Sequence, residues 1–299
     1  MSEQASALTA QASAAAVSRE FPHVLSIAGV DPSGGAGLLA DIKTFSALGA
    51  YGCGVVAALT AQNTRTLAGI HAPPAEFIRQ QIDTLFEDVE IDAVKIGMLG
   101  TAPAVRAVAD CLARWAPAHV VLDPVMIAKS GDALASRAAV SMLREALAPL
   151  ATVLTPNLPE AGALLCSRAP ETVREMFRAA ERLRELLPDT SSRWVLLKGG
   201  HLPGDDLVDL LFDGDRMIEL RARRIDTHNT HGSGCTLSSA VCALLPQRTS
   251  VPEAVREARA YVERAIAAAG LLHVGRGNGP LHHFHRWWNP TATPDRRAP

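Results

Sequence analysis

The sequence is poor in aromatic residues and has no charge of one sign to spare. Only 4% of its 299 residues are Phe, Trp or Tyr, which argues against the stacking platforms that grip single-stranded nucleic acid. Its 29 basic and 31 acidic residues leave a net charge of −2, so there is no positive excess to neutralise phosphate backbones. No apolar run approaches the ~20 residues that span a bilayer. Nucleic-acid and membrane partners are therefore not expected. The five cysteines (Cys53, Cys111, Cys166, Cys235, Cys242) are odd in number, scattered, and lack a Cys-x-x-Cys pair. Neither a disulfide framework nor a structural zinc site is expected, and a reduced, cytoplasmic protein is. Also missing are the Walker A pattern, the His-Arg-Asp kinase signature and the G-x-S-x-G elbow.

What is present is 48% apolar residue in a chain long enough for a large core. The stretch 1–20 is rich in Ala, Ser and Gln without a basic lead into an apolar run, so it reads as a disordered lead-in, not a secretory signal. Residues 21–290 read as one domain and 291–299 as a flexible tail. Short β-branched runs alternate with helical patterns. Strands are expected at 23–28, 55–59, 93–96, 120–122, 152–154 and 194–197. Helices are expected at 38–48 with Gly49 as C-cap glycine, then at 77–89, 104–115, 235–245 and 252–272. This alternation specifies an α/β fold with a mainly parallel sheet covered on both faces. The stretch 207–220 reads instead as a late antiparallel hairpin turning at Asp213-Gly214.

Ligands in such sheets bind beyond the carboxyl ends of the strands. The first strand ends in a glycine-dense turn, 31–37, where backbone N–H groups and a helix start can meet a ligand. Its Gly35-Ala36-Gly37-Leu38-Leu39-Ala40 fits a loose dinucleotide pattern, but the second strand lacks the acidic residue a ribose requires. A nicotinamide-dependent oxidoreductase is thus the alternative of a different class. Asp41 lies on the helix that follows, where it either faces the site or merely complements the helix dipole. Gly232-Ser233-Gly234-Cys235 opens another helix and makes a nest for a phosphoryl oxygen or for the charge that develops on it. Cys235 then falls in the first turn, where the dipole favours thiolate, although Cys235 and Cys242 also read as two small core residues. Asp123 and Glu160 follow strands and suit Mg²⁺ held through water beside substrate phosphates, or serve as helix caps. Lys198 adds a cation at the same edge. His282, His283 and His285 fit no common zinc spacing, and the adjacent Trp287-Trp288 suggests a packed C-terminal segment.

Eight motifs occur together in order: 31–37, 61–64, 95–99, 123–126, 129–132, 155–160, 198–201 and 229–235. In these the chain resembles the bacterial hydroxymethylpyrimidine/phosphomethylpyrimidine kinases of thiamine biosynthesis, over about residues 23–288. The resemblance implies a ribokinase-like three-layer α/β/α fold and two successive ATP-dependent phosphorylations of 4-amino-5-hydroxymethyl-2-methylpyrimidine, to the monophosphate and then the diphosphate. It implies that Asp41, Gln62, Met98, Val125 and Cys235 line the pyrimidine pocket. Lys198, Asn157, Thr230 and His231 would meet the nucleotide, Lys198 with Gly232, Ser233, Gly234 and Cys235 the transferring phosphoryl group as the catalytic set, and Asp123 and Glu160 the Mg²⁺. Lys129 would sit on a mobile flap that excludes water. Many sugar kinases of this fold carry an Asp base where Cys235 stands. A homodimer is expected from the resemblance. Pyridoxine or pyridoxal kinase activity and a non-catalytic pyrimidine-binding regulator are the alternatives it leaves open.

Overall fold

The computed structural model describes residues 20–126, 134–190 and 192–288. The lead-in 1–20 apart from Glu20, the tail 291–299 and the flap residue Lys129 lie outside the described residues. In chain order the elements are β1 (His23–Val30), α1 (Gly37–Ala47), β2 (Tyr51–Gln62), β3 (Leu67–His71), α2 (Ala75–Phe86), β4 (Ala93–Ile96), α3 (Ala102–Trp115) and β5 (His119–Leu122). There follow α4 (Arg137–Met142), which runs into a π-helical turn, β6 (Val153–Leu154), α5 (Leu158–Leu164), α6 (Val173–Arg184), β7 (Trp194–Leu197), β8 (Asp206–Phe212), β9 (Met217–Arg223), α7 (Ser233–Leu244) and α8 (Val251–Ala267).

The nine strands form one sheet in the order β3-β2-β1-β4-β5-β6-β7-β8-β9. Pairings from β2 through β7 are parallel, and β3, β8 and β9 add antiparallel edges. β1 has β2 on one side and β4 on the other, so the chain reverses its direction of growth there and opens a crevice at the carboxyl ends. Alternate strand residues feed two cores. Leu25, Ile27, Val94, Ile96, Val120 and Leu122 pack under α2, α3 and α6. Val24, Ala93, Val121, Val153 and Leu196 pack under α1, α7 and α8. α7 is buried at every residue from Thr236 to Leu244, because sheet, α1 and α8 enclose it. That explains its run of Ala, Ser, Cys and Leu without a polar face.

The expected strands are present, with β2 extending well beyond 55–59. The hairpin is β8–β9, but its loop has four residues: Asp213 Oδ1 accepts from the N–H groups of Asp215 and Arg216, which closes the turn. Gly49 has a positive φ of 75° beyond α1, as expected of a terminating glycine. The sequence reading has no counterpart for β3, whose five residues include a glycine and are mostly exposed. α2 ends at Phe86 and α8 at Ala267, short of the expected ends. The C-terminal segment is packed, as expected, but through its histidines and Leu281 more than its tryptophans. His282 and His283 are buried, whereas Trp287 and Trp288 are 68% and 58% exposed. His283 Nε2 is satisfied at 3.1 Å by Thr236 Oγ1, which is why the histidine and not the tryptophan is inside.

Candidate active site

Two glycine turns interlock at the head of the crevice. In the first, Asp31 accepts hydrogen bonds from Ser33 N–H (2.9 Å), Ser33 Oγ (2.8 Å) and Ala36 N–H (3.0 Å). Asp31 Oδ2 also lies 2.7 Å from His231 Nε2, two hundred residues away in the second turn. Burial alone would raise the Asp31 pKa, but the bonds from His231 and Ser33 outweigh it and hold the carboxyl below its ordinary value. The turns approach too closely for side chains. A Cβ on Gly35 would lie 2.4 Å from the His231 ring, and one on Gly232, whose φ is +79°, would lie 1.8 Å from Gly35 O. Only glycine meets both demands.

Gly232 is the N-cap of α7, with Ser233, Gly234 and Cys235 as its first three helical residues. A helix start leaves its first N–H groups without intrahelical partners. Ser233 N–H is taken by Thr230 O at 3.2 Å, while Gly234 and Cys235 line a cavity of about 860 Å³. The Lys198 ammonium stands beside them, 3.4 Å from where a Gly234 Cβ would be. A ring of backbone N–H groups with a lysine next to it can receive the oxygens of a transferring phosphoryl group.

Lys198 Nζ is 3.0 Å from Asp123 Oδ1. Asp123 also accepts from Thr155 Oγ1 (3.2 Å) and Ser238 Oγ (3.1 Å). Burial pushes the Asp123 pKa up, yet Lys198 and Lys95 more than offset it and keep the group ionised. Glu160 behaves oppositely: burial, aided by Asp123 and opposed by Lys198, pushes it up to about 7. Lys198 itself is raised, since Asp123 and Glu160 outweigh its burial. Asn157 is the N-cap of α5, and its side chain and that of Glu160 exchange bonds with each other's backbone N–H at 2.9 and 2.8 Å. The cap reading and the site reading of Glu160 therefore hold together, since it also lines the cavity. Among the described residues no cluster of three or more His, Cys, Asp or Glu is placed to hold a metal. Two carboxylates at a phosphate nest instead fit Mg²⁺, which takes few protein ligands and completes its shell with water and phosphate oxygens.

Gln62 at the end of β2, Met98 just beyond β4 and Val125 just beyond β5 line the cavity, with Thr60 Oγ1 3.2 Å from Gln62 Oε1. Thr230 and His231 line it too, but His231 is buried and committed to Asp31. Asp41 does not line it. It is fully buried below the wall, held by Lys95 Nζ, Ser26 Oγ and Ser239 Oγ, because a carboxylate one turn into α1 points at the sheet and not along the helix axis. Cys235 Sγ accepts from Gly37 N–H. The expected thiolate is not found. Burial raises the Cys235 pKa to about 11, with Lys95 opposing and Asp41 and Asp123 adding to the rise, so desolvation overrides the helix dipole. Sequence reasoning named no role for Asp31, Lys95 or Ser238. An acid opening a glycine turn was a usable signal for the first, whereas the other two sit in apolar or small-residue runs. Nor did it find the lining supplied by and next to β8, β9 and α8, where apolar Leu207, Ala222, Ile225, Val262 and Ile266 alternate with charged Asp209, Arg223, Arg259 and Glu263.

Comparisons with known proteins converge on one family. A model of the phosphomethylpyrimidine kinase family matches residues 31–282. A hydroxymethylpyrimidine/phosphomethylpyrimidine kinase of Rhizobium meliloti is 51% identical over 88% of this chain and 97% of its own length. One from Escherichia coli is 50% identical over 89% and 98%. Among solved structures, an ADP complex of Bacillus subtilis pyridoxal kinase has a TM-score of 0.81 at 34% identity, covering 90% of this chain and all of that one.

Proposed function

The chain belongs to the phosphomethylpyrimidine kinase family, and from that premise we propose how its residues carry out the two phosphorylations. It is a ribokinase-like phosphotransferase of thiamine biosynthesis that uses ATP to phosphorylate the hydroxymethylpyrimidine and then its monophosphate. The observation that carries the mechanism is one cavity whose lining includes Gln62 and Met98, the Gly232–Cys235 turn with Lys198, and Ile225, Val262 and Ile266.

The pyrimidine lies against Gln62. The glutamine amide both donates and accepts, so it pairs with an aminopyrimidine edge, while Met98 and Val125 cover the ring faces. The nucleotide base packs against Ile225, Val262 and Ile266, with Thr230 and Asn157 toward its phosphates. The N–H groups of Gly234 and Cys235 and the Lys198 ammonium converge on the oxygens of the phosphoryl group in transit. Asp123 and Glu160 would hold Mg²⁺, which when bound would supply positive charge to offset that on the phosphoryl oxygens.

Cys235 lies at the hydroxymethyl arm. With its thiol protonated at neutral pH it is not a ready-made base. In a loose transition state the attacking hydroxyl needs little early deprotonation, so positioning and charge neutralisation dominate. The second acceptor is already an anion and needs the thiol still less. The enzyme works in the cytoplasm, which its five free thiols favour. It works as a homodimer, for which the exposed edge strand β3 with Ile70 offers a pairing surface.

The test is mass spectrometry of products from purified protein, Mg-ATP and 4-amino-5-hydroxymethyl-2-methylpyrimidine, with pyridoxine and ribose in parallel. Successive gain of one and then two phosphoryl groups on the pyrimidine is the expected result. Preference for pyridoxine, with a single gain, would reassign the chain to the activity carried by the Bacillus pyridoxal kinase it resembles in fold.

A further inference from the structure

Three side chains converge on Asp41 where two strands meet two helices. Ser26 of β1 and Lys95 of β4 are cross-strand partners. Both stand on the sheet face covered by α1 and α7, in line with Val24 and Ala93 of that layer's core. Lys95 Nζ lies 2.8 Å and Ser26 Oγ 2.6 Å from Asp41 Oδ2, and Ser239 Oγ of α7 donates to Oδ1 at 2.6 Å. All four residues are fully buried, and none lines the cavity.

Asp41 follows Gly37 by four residues on α1, and Ser239 follows Cys235 by four on α7. That spacing places each pair on one helix face. Gly37 N–H donates to the Cys235 thiol, and one turn deeper Asp41 accepts from Ser239. The two helices are thus joined by two rungs, the outer at the cavity and the inner sealed. The inner rung is charged, with Lys95 as its counter-ion. Apolar residues of similar volume would pack this spot at no loss of stability, since a buried pair barely repays its desolvation. What the pair adds is a fixed geometry.

We propose that Asp41, bridged to Ser26 and Ser239 and neutralised by Lys95, is a positioning residue that sets the register of α1 against α7, and so holds the Cys235 thiol and the Gly232–Cys235 turn where the transferring phosphoryl group needs them. This rests on the kinase reading above.

Two neutral double variants test it without leaving a buried charge unpaired. Lys95→Met with Asp41→Asn keeps an amide that can bridge Ser26 and Ser239, and its single-turnover rate for the first phosphorylation should stay within about fivefold of the unaltered protein. Lys95→Met with Asp41→Ala removes the inner rung, and its rate should fall about 100-fold, the order expected of a ~1 Å misplacement. The pyrimidine Kd, measured by calorimetry, should change little in either. Iodoacetamide should alkylate Cys235 faster in the Ala variant only. Equal rates and equal alkylation in the two variants, or a loss in Kd in place of rate, would overturn the proposal. Inactive unaltered protein would count against the kinase reading, and the alkylation difference alone would then decide the positioning role.

Discussion

Two lysine–carboxylate pairs stand a few residues from Cys235, and they look alike until their surroundings are compared. Lys95–Asp41 closes at 2.8 Å with both side chains 0% exposed. Lys198–Asp123 closes at 3.0 Å, but Lys198 is 14% exposed and both residues line the cavity. The first pair has hydroxyls from β1 and α7 filling its remaining valences. The second has Glu160 beside it, a carboxylate held so unfavourably that its pKa rises to about 7. A sealed, balanced pair fixes structure. The open pair is within reach of whatever enters the cavity.

The largest effect that would break this comparison concerns stability. Lys95→Met leaves the buried Asp41 charge without a counter-ion, and urea unfolding should show a loss of about 3–5 kcal/mol. Lys198→Met should cost clearly less in the same measurement, because water reaches that site. A similar loss in both would erase the distinction. Next is activity. Lys198→Met should lower the single-turnover rates of both phosphorylations about 10²–10³-fold, the order of removing one group that stabilises charge in the transition state. A smaller effect sharpens the roles within the site. Cys235→Ser should slow the first phosphorylation about tenfold more than the second, below the ~10²–10⁴-fold that proton-transfer help usually contributes, because the thiol is not ionised. Equal losses in both steps would remove the thiol from proton transfer.

The last effect is a pH dependence. The folded-state pKa of Glu160 lies above its unfolded value, so between about pH 4.5 and 7 the folded protein binds more protons than the unfolded chain. That contribution to stability is complete below the lower value and is lost as pH rises through the upper one. The slope should not exceed about 1.4 kcal/mol per pH unit, and Glu160→Gln should flatten it in ligand-free unfolding curves. A slope unchanged by that substitution would mean that another group titrates there.

The contrast also explains what was legible in the sequence. The alternation of strands and helices, the Gly232–Cys235 turn, and Asp123, Glu160 and Lys198 at strand ends could be read because each is a local pattern with a local cause. β3 could not, since a five-residue edge strand with a central glycine carries little periodicity. Asp41 was legible as an acid on the right helix, but which way it faced depended on Lys95. A lysine within the four-residue run Ala93–Ile96 gives no hint that it is buried. The thiol of Cys235 was read by its helix position alone, and only packing revealed the burial that raises its pKa. Patterns within one element survive reading in one dimension; partners drawn from four elements do not.

The most direct test of the account is a rapid-quench comparison of Lys198→Met with the Lys95→Met and Asp41→Asn double variant, under single turnover with Mg-ATP and the pyrimidine. The account predicts a folded but nearly inactive Lys198 variant and a double variant close to the unaltered protein in both steps. A double variant as inactive as the Lys198 variant, while still folded and still binding pyrimidine, would show that the sealed lysine takes a direct part in phosphoryl transfer and would contradict the division between the two pairs.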